Sequence, residues 1–154
     1  MAFLVIQNQP MTLVLILVVW AIAIPLMIWN ARVMTRFEKV YRFDGEFPGN
    51  RHECILQFAN TEFHYLCAAG ANQSALYLLP PAEHEISRWK SSKEKIYKKS
   101  LQIPWSDLQY RTKKILFQDY LWLEIPERKV YFYIPKDVGD RLLIDAGRAV
   151  PIEA

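Results

Sequence analysis

Residues Met11 to Trp29, MTLVLILVVWAIAIPLMIW, run for 19 positions without a charge, and no charged side chain occurs before Arg32. As a helix rising 1.5 Å per residue the run reaches roughly 28 Å, the thickness of a bilayer core. A soluble domain built from the rest of the chain is too small to cover a helix that is apolar on every side. A cleaved signal peptide fits less well. No basic residue precedes the run, it exceeds the roughly 7–15 residues of a signal core, and no small-x-small site follows it, although Ala21 and Ala23 lie inside. The segment reads as a retained transmembrane helix, residues 11–29, behind a short outer amino terminus, residues 1–10. Pro25 is compatible with that reading, because membrane helices tolerate proline.

Charge beside the run sets the expected orientation, since Lys and Arg accumulate on the cytoplasmic side. Arg32, Arg36, Lys39 and Arg42 follow the run against only Glu38, which places the body in the cytoplasm. Much of the excess behind the 52% hydrophobic content sits in the leader, and the remainder of the 154 residues suffices for one domain of about a hundred residues. Cys54 and Cys67 are too few for a disulfide framework and read as small core residues.

Residues 30–50 read as a basic juxtamembrane connector ending in FDGEFPGN, where Gly45, Pro48, Gly49 and Asn50 punctuate the chain. Beyond it, strand-like runs recur: ECILQF, EFHYLCA, SALYLLP, SLQI, DLQYRT, KILFQ, YLWLEI and KVYFYIP. Val130, Phe132 and Ile134 alternate with Lys129, Tyr131 and Tyr133. Across a tight turn at Pro126-Glu127-Arg128, Leu121, Leu123 and Ile125 form the matching inner set, with Tyr120, Trp122 and Glu124 outside. After Pro135 the period lengthens, and Asp137 is positioned to cap a short helix bearing Val138, Leu142 and Ala146 on one stripe. The fold class is therefore α+β, mainly β: a compact domain over 51–148, strands first and one closing helix last, with a tail over 149–154.

The stretch SLQIPWSDL interrupts its own alternation. Leu101, Ile103 and Trp105 point inward, while Pro104 removes a ladder donor, as a proline at an edge or bend does. Trp105 is expected to pin a corner into the core, with Ser106 or Asp107 bonding backbone amides that the bend frees.

Taken together, Ser74-Ala-Leu-Tyr-Leu78, a charged loop, the Leu101–Leu108 corner, Leu121-Trp-Leu123, Val130–Pro135 and a closing helix resemble small bacterial single-pass membrane proteins with a pleckstrin-homology-like domain. The resemblance covers roughly residues 50–148. It implies two orthogonal antiparallel sheets of about seven strands, a sandwich or barrel plugged by the terminal helix, on the cytoplasmic side of a cell inner membrane. It does not extend to phosphoinositide recognition, because the FANTE stretch between the first two strands holds no Lys or Arg.

The most basic segment is Arg88 to Lys99, RWKSSKEKIYKK, in which Arg88, Lys90, Lys93, Lys95, Lys98 and Lys99 face one acid, Glu94. It reads either as a solvated loop or, with Trp89, as a contact for anionic lipid head groups or an acidic partner surface. Trp89 and Tyr97 interleave with the cations, but a net charge of +3 and the lack of any nucleic-acid module argue against a nucleic-acid partner. His52, Cys54 and His64 lack paired zinc-ligand spacing, so no metal is expected. No nucleophile elbow, phosphate-cradling glycine loop or His-Glu-x-x-His helix occurs, and Asp44, Glu46, His52, Glu53 and His84 assemble into acid–base pairs only on paper. The reading is a non-enzymatic, membrane-anchored interaction module or accessory subunit of a membrane protein complex, requiring no cofactor. An anionic-lipid surface sensor is the alternative, and an uncharacterised enzyme the remote one.

Overall fold

A computed structural model describes residues 9–59, 61, 64–88 and 94–151. One helix, α1, runs from Gln9 to Val40 and passes the end of the apolar run by eleven residues, about 16 Å. The first part of the expected connector is therefore helical. The reason lies in Val33, Met34, Phe37 and Tyr41, whose helical spacing puts them on one face, where Phe37 and Tyr41 are buried in the domain core. The turn residues that end the connector begin only at Gly45.

After α1 come β1 (Arg51–Phe58), β2 (His64–Ala71), β3 (Ala75–Leu79), a short helix α2 (Glu83–Arg88), a two-residue β4 (Lys95–Ile96) and β5 (Leu101–Pro104). They are followed by a 3₁₀ turn (Trp105–Asp107), β6 (Gln109–Ile115), β7 (Gln118–Ile125), β8 (Val130–Pro135) and α3 (Lys136–Asp145). Seven strands form one antiparallel sheet in the order β5-β3-β2-β1-β8-β7-β6, with β4 added parallel to β2. The sheet curls into a half-barrel rather than dividing into two separate sheets. The narrowest join is β1 to β8, where only Gln57↔Tyr133 and Phe58↔Phe132 are in register.

Inner and outer faces follow the alternation read from the sequence. Leu121, Leu123, Ile125, Val130, Phe132 and Ile134 are all buried, and α3 lays Val138, Leu142 and Leu143 against them. Strand β2 departs from alternation, being buried throughout from Leu66 to Ala71. Its small residues are required because both faces are covered. Cys67, Ala69 and Ala71 face the main core, while Ala68 lies under Phe43 and Phe47, which strap across Tyr77. A Cβ at Gly70 would run into the Phe47 ring, so a larger residue there would displace the strap.

Three local expectations are corrected. The run KILFQ is not one strand: Leu116 and Phe117 form a two-residue turn between Ile115 and Gln118, both with positive φ. Pro135, not Asp137, is the N-cap of α3, and Asp137 lies in the first turn, where its charge suits the helix dipole. The RWKSSKEKIYKK segment is not wholly loop, since it includes the end of α2 and all of β4.

Candidate functional site: the seam between helix and sheet

The seam is built where α1 ends. Tyr41 and Phe43 leave the helix and bond to the edge of β5, Gln102 N–H donating to Tyr41 O (2.7 Å) and Phe43 N–H to Ser100 O (2.8 Å). This backbone pairing covers one sheet edge and fixes the helix against the strands. Beneath it an aromatic stack continues from α1 into the core. Phe37 meets Tyr41 at 5.5 Å and Phe58 at 5.9 Å between centroids, and Phe58 meets Phe132 at 5.7 Å. Such edge and tilted pairs add to the area they bury.

The corner completes the seam. Pro104 sits on edge strand β5, and Trp105 is 4% exposed, its indole N–H donating to Asn72 O at 2.8 Å. Ser106 and Asp107 bond side chains rather than the expected freed amides. Ser106 donates to Asp107 Oδ1 (3.0 Å), and Asp107 Oδ2 accepts the Tyr41 hydroxyl at 2.8 Å. The corner thus reaches back to the helix terminus. Burial first, and then the hydrogen bond to Asp107, raise the Tyr41 phenol above its ordinary value, with Arg128 opposing.

Beside this seam lies a cleft of about 470 Å³ lined by Thr35, Glu38, Lys39 and Arg42 of the helix end and by Lys98 to Leu101. Its helical wall begins about 9 Å past Trp29. Arg42 pairs with the exposed Asp44 at 2.8 Å, and Lys99 lies 3.9 Å from Glu38. Lys39 and Lys98 complete the positive lining. The residues expected to set topology are thereby divided. Arg32 and Arg36 are exposed on the helix away from Phe37, whereas Lys39 and Arg42 line the cleft.

The basic segment is divided as well. Arg88 ends α2 and pairs with Glu53 at 3.3 Å, and Lys95 is in β4. Lys98 and Lys99 line the cleft. Trp89, Lys90 and Lys93 lie outside the described residues. Sequence reasoning did not separate these roles because the cations are contiguous; Ile96 and Tyr97, the apolar pair within them, were the available signal for β4.

Other titratable groups have structural partners. His52 Nε2 is 2.8 Å from Asp145 Oδ2, joining β1 to the end of α3. Cys54 and Cys67 face each other across β1 and β2 with sulfurs 3.3 Å apart, both buried and free. Their hydrogen bond and burial push the Cys67 thiol up, which keeps it unreactive. Glu53, His84 and Glu85 bring ligand atoms within 4.8 Å of one another, but Glu85 accepts the Ala82 N–H at 2.6 Å as the reciprocal half of a capping box, and Glu53 accepts from Arg88. Those bonds give both carboxylates of the cluster protein partners.

No family model matches the chain, and no curated protein or solved structure matches it.

Proposed function

We propose that the chain is a single-pass inner-membrane protein whose pleckstrin-homology-like cytoplasmic domain is a non-enzymatic docking module, an accessory part of a membrane protein complex. The observation that carries this reading is the burial of Phe37, at 0% exposure, in the domain core by the same helix that is long and apolar enough to cross a bilayer. A flexible tether only confines a domain near the surface. A helix packed into the core instead presents fixed faces at a fixed height, which suits docking to a neighbour in the same membrane. The basic residues after the apolar run favour the cytoplasmic side. Antiparallel strand order and a closing helix support the fold resemblance.

Cross-linking in intact membranes, then purification of tagged full-length protein in mild detergent, tests the proposal. A stoichiometric integral membrane partner is expected. Recovery of the chain alone, from cross-linked and untreated membranes alike, would count against it.

The cleft at the seam supports a second reading, contact with anionic lipid head groups through Lys39 and Lys98. Flotation with anionic but not zwitterionic vesicles, abolished by salt, would favour that reading for a version of the chain lacking residues 1–29.

A further inference from the structure

Two hollows adjoin along the end of α1. The cleft takes Thr35, Lys39 and Arg42 from that end, whereas a smaller apolar slot of about 200 Å³ takes Met34 from the helix and Phe58, Tyr65, Ile96 and Tyr97 from the domain. Glu38, Lys98 and Lys99 line both, so one opens beside the other. The slot exceeds the roughly 150 Å³ that admits a benzene-sized apolar ligand.

Their order along the helix is fixed by the chain. Met34 lies about 8 Å past Trp29, and Lys39 about 15 Å past it. The facing segment runs in step: Ile96 borders the slot, and Leu101 bridges Arg42 at the far end of the cleft. Apolar walls thus come nearer the apolar run, and cations farther from it. The acids of the cleft are answered by its own cations, Glu38 by Lys99 (3.9 Å) and Asp44 by Arg42 (2.8 Å). Lys39 and Lys98 form no ion pair among the described residues and leave the cleft positive.

We propose that the two hollows seat one anionic phospholipid of the bilayer that α1 crosses, its phosphate between Lys39 and Lys98 and one acyl chain in the slot, leading back toward the hydrocarbon. The inference rests on the anionic-lipid reading of the cleft and on the transmembrane reading of α1. A phospholipid in its leaflet has the same order of parts, chain toward the hydrocarbon and phosphate away from it. Attraction to a charged surface needs only exposed cations. The slot adds burial of chain methylenes, which selects an anion bearing a chain over free phosphate.

The test uses full-length protein in phosphatidylcholine nanodiscs containing phosphatidylglycerol with a diazirine either on its head group or near the start of one acyl chain. Labelled residues are mapped by peptide mass spectrometry. The head-group probe should label the cleft around Lys39 and Lys98. The chain probe should label Met34, Ile96 or Tyr97 in addition to residues 11–29, and the same chain probe on phosphatidylcholine should label 11–29 alone. Lys98→Gln should cut cleft and slot labelling about fivefold, the effect of one cation near an anionic surface, and leave 11–29 unchanged. Cleft labelling by the head-group probe without slot labelling by the chain probe overturns the proposal and leaves the head-group reading standing. If neither probe labels beyond residue 29, both fall, and if 11–29 also stay unlabelled, so does the transmembrane reading. Equal slot labelling by the zwitterionic probe refutes selection for an anion. Ile96→Trp, at a position 38% exposed, fills the slot from its rim. It should reduce chain labelling of Met34 several-fold while head-group labelling of the cleft persists, and undiminished labelling of Met34 contradicts the proposed path of the chain.

Discussion

The two halves of α1 form one continuous helix yet satisfy opposite surroundings. From Met11 to Trp29 the side chains are apolar on all sides and all but Ala23 are exposed; from Val33 to Tyr41 one stripe is buried in the domain while Arg32, Arg36 and Lys39 face out. Hydrophobicity alone does not distinguish a membrane segment from a core segment. The two halves differ in its distribution, all round the helix in the first and along one stripe in the second. The helix runs from the apolar segment into the domain without a break.

Substitution of equivalent residues in the two halves provides the largest contrast. Phe37→Ala should destabilise the domain by about 3–5 kcal/mol, because it empties a fully buried ring site. Ile22→Ala, in the exposed half, should leave the denaturation midpoint of the domain unchanged. Chemical denaturation of the full chain in micelles measures both, and equal midpoints would dissolve the distinction between the halves.

The corner is the next strongest connection. Trp105→Ala should cost about 3 kcal/mol, since the ring is buried and its N–H is bonded to Asn72. A variant that melts like the parent would show that the corner does not depend on the ring. Tyr41→Phe tests the connection from the helix side and should lower stability by about 1 kcal/mol, the usual worth of one such hydrogen bond. Asp107→Asn combined with it should add little, because the two side chains serve the same bond.

The smallest effect is expected at Tyr97, next to the Met34 side of the helix. Its buried hydroxyl has no partner among the described residues, so Tyr97→Phe should be neutral or slightly stabilising. Its signature is the alkaline response. Burial is the main cause that raises the Tyr97 phenol far above its ordinary value of about 10. The folded state thus holds a proton that the unfolded chain releases above that pH. Stability from this group is intact below about pH 10 and falls as pH rises further. Melting curves across that range should decline less steeply for Tyr97→Phe than for the parent. Identical slopes would assign the decline to other groups.

How far the sequence revealed this arrangement depended on which physical signal each element carries. The apolar run, the β7–β8 alternation and the inward Trp105 were legible, because period and composition determine them directly. The Leu116–Phe117 turn was not, since it lacks the Gly, Asn, Asp or Pro that marks turns, and KILFQ reads as strand by propensity. The passage of α1 into the core was obscured for a different reason. Arg32, Arg36, Lys39 and Arg42 dominate the composition of residues 30–42, while the Val33-Met34-Phe37-Tyr41 stripe is visible only by helical spacing. At the seam, the Tyr41–Asp107 bond joins residues 66 positions apart, and no local pattern predicts it. The cleft is likewise assembled from two distant segments.

Pulsed electron–electron distance measurement between nitroxides at Arg32→Cys on α1 and Ile144→Cys on α3, with full-length protein in lipid nanodiscs, tests the continuity most directly. Both positions are exposed, whereas Cys54 and Cys67 are buried and shielded from labelling. A rigid helix packed through Phe37 predicts one narrow distance distribution, which Phe37→Ala should broaden. A broad distribution in the unmodified protein, unchanged by Phe37→Ala, would mean that residues 30–50 act as a tether and that the coupling between membrane and domain does not exist.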